Sequence, residues 1–301
     1  MKIFITGATG YIGYTVSKAL RRAGHEVYGL TRSREKTPML QSNEIHPVVG
    51  SMQDSESYSE VAESCELLIH AAVDYENDTV ELDKQTVRSF IDMGNKGSVP
   101  KTFIYTSGCW VVGNTGWKAA NESTPLKPAP SVMWRPAVEQ MVLQTDSLKG
   151  LIIRPGCVYG ERGGLTGMWF NGAVNEENLT VVGDGSNHWT MIHVEDLADA
   201  YVRLAESGLS GEVFNISDRS RYRVKELVEA VARATFYKGE IHYQPLEEAV
   251  RMMGPIAEAL ALDQHVDARK AVNLLGWQPK FGSFVDDVET FYEAWKALNQ
   301  S

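Results

Sequence analysis

A glycine-rich turn near the start of the chain constrains the fold more strongly than any other feature. Residues 3–5 form a short apolar run typical of a buried strand, and the segment TGATGYIG at residues 6–13 follows directly. A helical spacing of apolar residues comes next and stops at Gly24, and a second apolar run covers residues 27–30. This order predicts a strand, a tight turn, a helix and a second strand.

The glycines of this turn suit a site for a dinucleotide. Their spacing is Gly-x-x-Gly-x-x-Gly, beginning at Gly7. Glycine lets backbone N–H groups approach a pyrophosphate, and the N-terminus of the following helix adds partial positive charge. A glycine triplet alone also fits a plain tight turn, but here a strand precedes it and a helix follows. We therefore predict a bound dinucleotide cofactor, with Gly7, Thr9, Gly10, Tyr11, Ile12 and Gly13 as binding residues.

The end of the second predicted strand distinguishes NAD from NADP. An NAD site places a carboxylate there to accept from the ribose 2′-OH, whereas an NADP site places a cation for the 2′-phosphate. No carboxylate occupies this strand end, and Arg32 offers a planar fork that binds phosphate. The alternative is a solvated loop charge, which is our interpretation of the neighbouring Arg34 and Lys36. The sequence therefore favours NADP(H), with Arg32 on the 2′-phosphate.

Apolar runs and helical patterns alternate through the first half of the chain. The runs lie at residues 45–49, 67–72, 102–106 and 151–154, and all of them are typical of buried parallel strands. Strands that alternate with helices predict a doubly wound parallel α/β sheet, the Rossmann arrangement, with right-handed crossovers.

The second half of the chain predicts a smaller C-terminal α/β lobe that binds the substrate. Beyond Pro155, short segments alternate with glycine-rich turns, and no linker separates the two parts. We assign residues 1–156 to an NADP-binding Rossmann domain, to which residues 188–217 return, and residues 157–187 and 218–301 to the substrate-binding lobe.

Composition narrows the range of partners. The 29 Lys and Arg against 39 Asp and Glu give a net charge of −10, which argues against a nucleic acid or an anionic membrane. The three cysteines lie far apart without a CxxC pair, so we expect reduced thiols, no disulfide and no metal site. No apolar stretch approaches the roughly 20 residues of a membrane span, and the N-terminal apolar run is too short for a signal peptide. We expect a cytoplasmic protein.

Four segments spread along the chain carry longer motifs. The turn TGATGYIG is followed by IHAA at residues 69–72, by RPGCVYG at residues 154–160 and by VVGDGSNHWTMIHVEDLADA at residues 181–200. Together they resemble the extended short-chain dehydrogenase/reductases, the group that contains nucleotide-sugar epimerases and dehydratases, and the resemblance runs nearly end to end. It implies a Rossmann fold, an NAD(P) cofactor and further cofactor contacts at Ala71, Ala72, Thr106, Ser107, Arg135, Pro155 and Val158.

The resemblance places the family's catalytic groups on three residues of this chain. In the family, a Ser or Thr after the fifth strand and a Tyr-x-x-x-Lys on the next helix carry out the proton chemistry. The family's motif after that strand, aligned with residues 106–113, places Gly108 at the Ser/Thr position. Glu139, aligned with the family's glutamate, places Arg135 at the Lys position and Ser131 at the Tyr position. All three residues differ, which implies an atypical member without the usual triad.

Three residues near the predicted nicotinamide site are candidates for altered roles. Arg135 keeps a cation that could bind the nicotinamide ribose, although it could instead pair with Glu139 on the helix surface. Ser131 is a weak acid, and its alternative role is a helix N-cap ahead of Pro136. Ser107 either contacts the nicotinamide or the substrate or forms only a hydrogen bond at the end of the strand.

Replacement proton donors would have to come from the substrate side. Tyr159 follows the sixth predicted strand, and its phenol is either a donor that faces the nicotinamide or a packing residue. His193 and His188 are further candidates for catalysis, with a structural role as the alternative for each.

Three functions are compatible with these observations. The first is an NADP(H)-dependent reductase of a small organic substrate, which the complete glycine motif favours. The second is an epimerase, isomerase or lyase on the same scaffold, and the third is a non-catalytic NADP(H)-binding protein, which the altered triad favours. We expect a small-molecule substrate and a monomer or homodimer.

Overall fold

In the computed structural model, which describes residues 1–96, 100–176 and 178–299, seven of the eleven strands form one parallel sheet. The remaining four strands form two separate pairs. In chain order the strands are β1 (Lys2–Thr6), β2 (Glu26–Thr31), β3 (His46–Val49), β4 (Leu67–His70), β5 (Lys101–Thr106), β6 (Leu148–Pro155), β7 (Cys157–Tyr159), β8 (Leu179–Val182), β9 (Met191–His193), β10 (Glu212–Ile216) and β11 (Ile241–Gln244).

Strand β1 lies inside the large sheet, and the direction in which strands are added reverses beside it. The order is β3-β2-β1-β4-β5-β6-β10, and every neighbouring pair is parallel. Such a reversal leaves a crevice at the carboxyl ends of the two strands where it occurs, here β1 and β4. The prediction of a doubly wound parallel sheet is confirmed.

Helices cover both faces of this sheet. Within the described ranges, no helix combines the length and the apolar character needed to cross a membrane. In chain order the helices are α1 (Tyr11–Arg22), α2 (Thr37–Gln41), α3 (Glu56–Glu63), α4 (Thr79–Asn95), α5 (Arg135–Leu143), α6 (Thr166–Val174), α7 (Val194–Glu206), α8 (Val224–Ala234), α9 (Leu246–Met253), α10 (Ile256–Leu260), α11 (Arg269–Leu275) and α12 (Val288–Asn299).

The side chains of β1 illustrate why the central strands are mainly apolar. Successive residues of a strand point to opposite faces of the sheet. Ile3 and Ile5 pack in the core that α1 and α7 cover, whereas Phe4 points the other way and stacks on Tyr58 of α3 with ring centroids 5.4 Å apart. Phe90 of α4 meets Phe4 edge-on from the same side. Both faces are buried, so no polar alternation is present.

The C-terminal part of the chain forms a smaller α/β unit with a core of its own. Strand β8 pairs with β11, and β7 pairs with β9. Helices α6, α8 and α12 contribute buried side chains such as Trp169, Leu227 and Trp295. Helix α11 packs instead on β10 of the large sheet and on the neighbouring helix α7. The domain boundaries given above stay a prediction.

A buried ion pair fixes helix α5 to strand β6. Arg154 donates from Nε to Glu139 Oε1 at 2.9 Å and from Nη2 to the other carboxylate oxygen. The two side chains are 4% and 1% exposed. Glu139 is therefore the partner of Arg154, and the alternative in which Arg135 pairs with Glu139 on the helix surface is corrected. The pair sets the position of α5, whose first residue is Arg135.

We expect Glu139→Gln to destabilise the fold strongly, because it leaves the Arg154 guanidinium buried without its counter-charge. Breaking a buried pair typically lowers the free energy of unfolding by about 3–5 kcal/mol. Urea denaturation followed by circular dichroism measures this loss. The double variant Glu139→Leu/Arg154→Met removes both charges and should recover most of it. A double variant as unstable as Glu139→Gln would contradict this account.

Candidate functional site

A cavity of about 670 Å³ lies at the carboxyl edge of the sheet, where the strand order reverses between β1 and β4. Its floor consists of the glycine turn and the ends of β2, β4, β5 and β6, and the C-terminal unit closes it with residues such as Leu165 and Ile256. Twelve of the predicted site residues line it, namely Gly7, Thr9, Gly10, Tyr11, Ile12, Arg32, Ala71, Ala72, Ser107, Arg135, Pro155 and Val158.

The glycine turn packs so tightly that two of its positions admit no side chain. Gly7 has φ +74°, and a Cβ there would lie 2.5 Å from Ala71 O. A Cβ at Gly13 would lie 2.2 Å from Gly7 O, so Gly13 allows α1 to approach the turn and does not itself line the cavity. At Gly10 a Cβ would lie 3.2 Å from Gly7 O, which is tight but less restrictive than the contacts at Gly7 and Gly13.

The first turn of α1 is suited to bind an anion. Its N-cap is Gly10, no side chain caps the helix, and no acidic residue lies in its first turn. The first N–H groups of a helix lack internal partners and carry partial positive charge. These groups fit the pyrophosphate of a dinucleotide.

Arg32 lies at the cavity beside the end of β2, but a carboxylate already accompanies it. Its Nη1 donates to Asp74 Oδ2 at 2.9 Å, and Glu76 Oε2 lies 3.8 Å away. The Asp74 carboxylate also accepts from the backbone N–H of Glu76 and from Asn77 Nδ2. The Glu76 N–H is the largest influence that holds the pKa of Asp74 below its usual range. The sequence analysis did not identify Asp74. This residue follows β4 and comes close to Arg32, which follows β2, only in the folded chain. Lys36 also lines the cavity.

Two residues that line the cavity each carry a buried polar atom without a partner among the described residues. Ser107 is 5% exposed and its Oγ forms no hydrogen bond, and Arg135 Nε likewise has none. Arg135 donates from Nη1 to Thr106 O at 2.7 Å, and its guanidinium lies 5.5 Å from the centre of the Trp134 ring. Buried polar atoms are normally paired, so these two are suited to a ligand. Thr106 does not line the cavity, and its side chain bonds Tyr201.

Ser131 is not a helix N-cap. Helix α5 begins at Arg135 with Trp134 as its N-cap residue, whereas Ser131 lies in a short 3₁₀ turn at Pro130–Val132. Its Oγ is buried without a partner in the described part of the chain, but the residue does not line the cavity. The N-cap alternative is therefore corrected.

Tyr159 does not face the cavity. It is fully buried, and its hydroxyl donates to Gly282 O at 2.8 Å and lies 3.2 Å from Asp218 Oδ2. Burial raises the pKa of Tyr159 far above its ordinary range, and the Asp218 carboxylate adds to the shift. Its ring packs edge-on against Phe284 and Phe291. The expectation that this phenol faces the nicotinamide is corrected, because the ring belongs to the core of the C-terminal unit.

His193 also lies away from the cavity. It is the N-cap of α7, where Nδ1 accepts from the backbone N–H of Glu195 at 3.2 Å. Burial lowers the pKa of His193 to about 4, which keeps the imidazole neutral. The ring stacks on Phe281 with centroids 3.7 Å apart. These contacts give His193 a structural role, which was the alternative to catalysis in the sequence analysis. His188, the other histidine candidate, does not line the cavity either and pairs with Asp263.

A buried polar network supports the floor of the cavity, and sequence reasoning did not identify it. His70 at the end of β4 contacts Thr6 Oγ1 at 2.6 Å through Nδ1 and Asp83 Oδ1 at 3.0 Å through Nε2. The other oxygen of Asp83 accepts from Tyr105 and from Trp134 Nε1. Burial opposes ionisation of Asp83, but these donors hold its pKa below the usual range. The network joins β1, β4, β5 and α4 to Trp134, the residue beside Arg135. In the sequence, His70 of the IHAA segment was the residue that could have indicated this network.

Comparison with known sequences gives a family match and relatives that span almost the whole chain. The model of the NAD dependent epimerase/dehydratase family matches residues 3–217. An uncharacterized protein of Saccharomyces cerevisiae is 27% identical over 304 residues, covering 97% of this chain and 99% of that protein. A 4-hydroxy-2-methyl-3-oxo-4-farnesyl-3,4-dihydroquinoline-1-oxide ketoreductase of Stigmatella aurantiaca is 23% identical over 291 residues, covering 92% and 87%.

Solved structures share the fold. The dTDP-glucose 4,6-dehydratase from Bacillus anthracis, in complex with NAD, superposes with a TM-score of 0.84 at 20% identity, covering 100% of this chain and 97% of that chain. The Rossmann arrangement predicted from the sequence is therefore shared with known structures.

We expect Tyr159→Phe to act on stability and not on cofactor affinity. The substitution leaves Gly282 O and the buried Asp218 carboxylate without this donor, at a cost of about 1–3 kcal/mol in the free energy of unfolding. Urea denaturation and fluorescence titration with nucleotide measure the two effects. Tyr243→Phe, at an exposed side chain, serves as the control. A fully stable Tyr159→Phe protein with weakened nucleotide binding would restore the role expected from the sequence.

Proposed function

Because the chain belongs to the NAD dependent epimerase/dehydratase family, we propose that it is an NADP(H)-dependent oxidoreductase that reduces a small organic substrate. The observation that carries the proposal is a single cavity with Arg32 on one side of the β1–β4 reversal and Ser107 and Arg135 on the other. Three strand intervals separate the ends of β2 and β5, which amounts to roughly 14 Å at the usual strand spacing. A dinucleotide that lies across the sheet edge fits this span.

Arg32 supports binding of the adenosine 2′-phosphate. Its side chain is 61% exposed, and only Nη1 contacts the Asp74 carboxylate closely. The guanidinium carries five N–H donors, so most of the fork is free for a phosphate. Asp74 supplies the one observation that favours NAD(H) instead, because a carboxylate at this place can accept from a ribose hydroxyl.

Ser107 and Arg135 support binding at the nicotinamide end. When bound, the cofactor supplies hydride exchange. The free Oγ of Ser107 and the free Nε of Arg135 offer hydrogen bonds to the ribose or to the substrate carbonyl. A guanidinium group has donors only, so Arg135 can orient a ligand and neutralise its charge but is not suited to transfer a proton.

We infer that the usual Ser/Thr-Tyr-Lys set is not retained, since Gly108, Ser131 and Arg135 stand at its positions. The proton that completes a carbonyl reduction then comes from water or from another residue of the cavity. A cationic imine as hydride acceptor would require no proton at this step.

Apolar residues in the lining of the cavity suggest an apolar substrate. Trp110, Val132, Leu165 and Ile256 contribute side chains there. We assign the cofactor to residues 1–156 with residues 188–217, and the substrate to residues 157–187 and 218–301 together with Trp110 and Val132, so that the nicotinamide of a bound cofactor would meet the substrate between the two parts.

Two other functions make different predictions for the cofactor. An epimerase, isomerase or lyase would turn over without net change of NADP(H), and the fold shared with a dehydratase supports this candidate. A non-catalytic binding protein would bind the nucleotide and turn over nothing. Stoichiometric loss of NADPH with formation of a reduced product identifies the reductase.

Thermal unfolding with NADPH, NADP⁺, NADH and NAD⁺ tests cofactor choice first. A ligand present at 100 times its Kd stabilises a fold by about 2.7 kcal/mol, which is readily measured. We expect the phosphorylated pair to give the larger shift. No shift with any of the four nucleotides would contradict the proposal.

Arg32→Ala then tests the phosphate contact. Loss of charge-assisted hydrogen bonds worth about 1.5–3 kcal/mol should weaken NADPH at least tenfold and leave NADH within about twofold. Arg34→Ala, at an exposed neighbour outside the cavity, is the matched control. Asp74→Asn should strengthen NADPH binding, because it removes a negative charge beside the phosphate. An NADH affinity that falls in Asp74→Asn with NADPH unchanged would instead assign the site to NAD(H).

Arg135→Gln tests the nicotinamide end. We expect weaker binding of both NADPH and NADH and a fall in turnover, with partial recovery in Arg135→Lys, which keeps the cation. Nucleotide titration and NADPH oxidation measure these effects. Arg88→Gln, at an exposed helix position, controls for loss of a positive charge. Equal nucleotide affinity in wild type and Arg135→Gln would limit Arg135 to its structural bond with Thr106.

A further inference from the structure

Three side chains that could hold a metal ion meet outside the cavity. His188 precedes β9, and Asp263 and His265 lie between α10 and α11. One donor atom from each of the three lies within 4.8 Å of the others. His188 Nδ1 and Asp263 Oδ1 are 2.8 Å apart, and the two imidazole rings have centroids 4.5 Å apart. Donor atoms bound to one zinc ion at about 2.1 Å stand roughly 3.4 Å apart, so small side-chain rotations complete the arrangement.

The backbone around these ligands is already fixed. The N–H of His188 donates to Asp263 Oδ1, and Gln264 N–H donates to His188 O. On the other side Thr115 N–H donates to Asp263 O, and His265 N–H donates to Thr115 Oγ1 at 2.8 Å. Hydrogen bonds within the protein thus hold both ligand segments in place without the ion, which is what a preorganised metal site requires.

The chemistry of the three ligands selects a class of ion. Two imidazole nitrogens and one carboxylate suit a divalent transition metal such as zinc, whereas Mg²⁺ and Ca²⁺ prefer oxygen ligands only. The side chains of His188 and Asp263 are 22% and 33% exposed, so an ion and its remaining water ligands have access. Arg221 adds positive charge near His265, but its side chain is exposed and screened by solvent.

The site lies directly behind the wall of the cavity. Gln264, between two of the ligands, donates from Nε2 to Cys109 O at 2.9 Å and to Gly113 O at 2.8 Å. Cys109 lines the cavity. An ion bound by Asp263 and His265 would therefore hold the segment that supports the loop after β5.

We propose that His188, Asp263 and His265 bind one divalent transition-metal ion of the zinc type, with water completing its coordination, and that this ion fastens the 263–265 segment behind the cavity. The sequence-based expectation of no metal site rested on cysteine spacing and missed this cluster. His188 and Asp263 are 75 residues apart in the chain, so no local spacing reveals it.

Titration of the full chain, first stripped with EDTA, tests the site. Zn²⁺ should bind at one equivalent and raise the midpoint of thermal unfolding, and Co²⁺ should produce a visible absorption band. His188→Gln and His265→Gln should each weaken Zn²⁺ binding at least tenfold. His242→Gln, at an exposed histidine of β11, is the matched control and should bind as wild type does.

Circular dichroism and thermal unfolding in EDTA test whether each variant is folded. Without metal, each variant should unfold at the same temperature as the wild-type protein. The proposal is overturned if wild type shows no saturable Zn²⁺ binding. It is overturned equally if folded His188→Gln and His265→Gln proteins bind Zn²⁺ with wild-type affinity. The nucleotide-induced shift is measured in EDTA, so failure of the metal site and failure of the NADP(H) site are distinguishable.

Discussion

The contact between the glycine turn and the end of β4 determines the geometry on which the rest of the site depends. Gly7 approaches Ala71 so closely that a Cβ would lie 2.5 Å from the carbonyl oxygen. On the same strand ends, Thr6 Oγ1 contacts His70 and accepts from the Ala71 N–H at 3.3 Å. These contacts bring the ends of β1 and β4 close together, at the place where the strand order reverses and the cavity opens. Gly13 brings the N-terminus of α1 to the same place.

Buried polar contacts then hold the part of the cavity around Ser107 and Arg135 in position. Asp83 bonds Trp134 beside Arg135, and the Arg154–Glu139 pair fixes the body of α5. These contacts do not involve Ser107 Oγ or Arg135 Nε, which stay buried without a partner among the described residues. An unsatisfied buried polar atom costs about 1–3 kcal/mol, and such a cost persists only where the surrounding structure or a ligand compensates. This physical reason makes the two atoms the strongest candidates for ligand contacts.

Local patterns in the sequence predicted the fold well, because each depends on a few adjacent residues. The glycine turn and the apolar parallel strands are such patterns, and the large sheet confirms them. Side-chain direction was harder to predict. Val158 lines the cavity, whereas Tyr159 is the next residue of the same strand and points to the opposite face. Arg32 with Asp74 and His188 with Asp263 are pairs between distant segments, which no spacing in one sequence reveals.

In the proposed NADP(H) site, the Arg32–Asp74 pair would modulate phosphate binding without preventing it, as the magnitudes indicate. Ion pairs with an exposed partner contribute about 0–1 kcal/mol, and Arg32 is 61% exposed. Charge-assisted bonds to a phosphate contribute about 1.5–3 kcal/mol, so the arginine gains by turning toward it. Asp74 stays in place, since the Glu76 N–H and Asn77 hold its carboxylate independently of Arg32. If Arg32 binds the 2′-phosphate as proposed, the carboxylate would lower affinity for it and keep a ribose acceptor available, and the balance of these two effects would set the preference between NADPH and NADH.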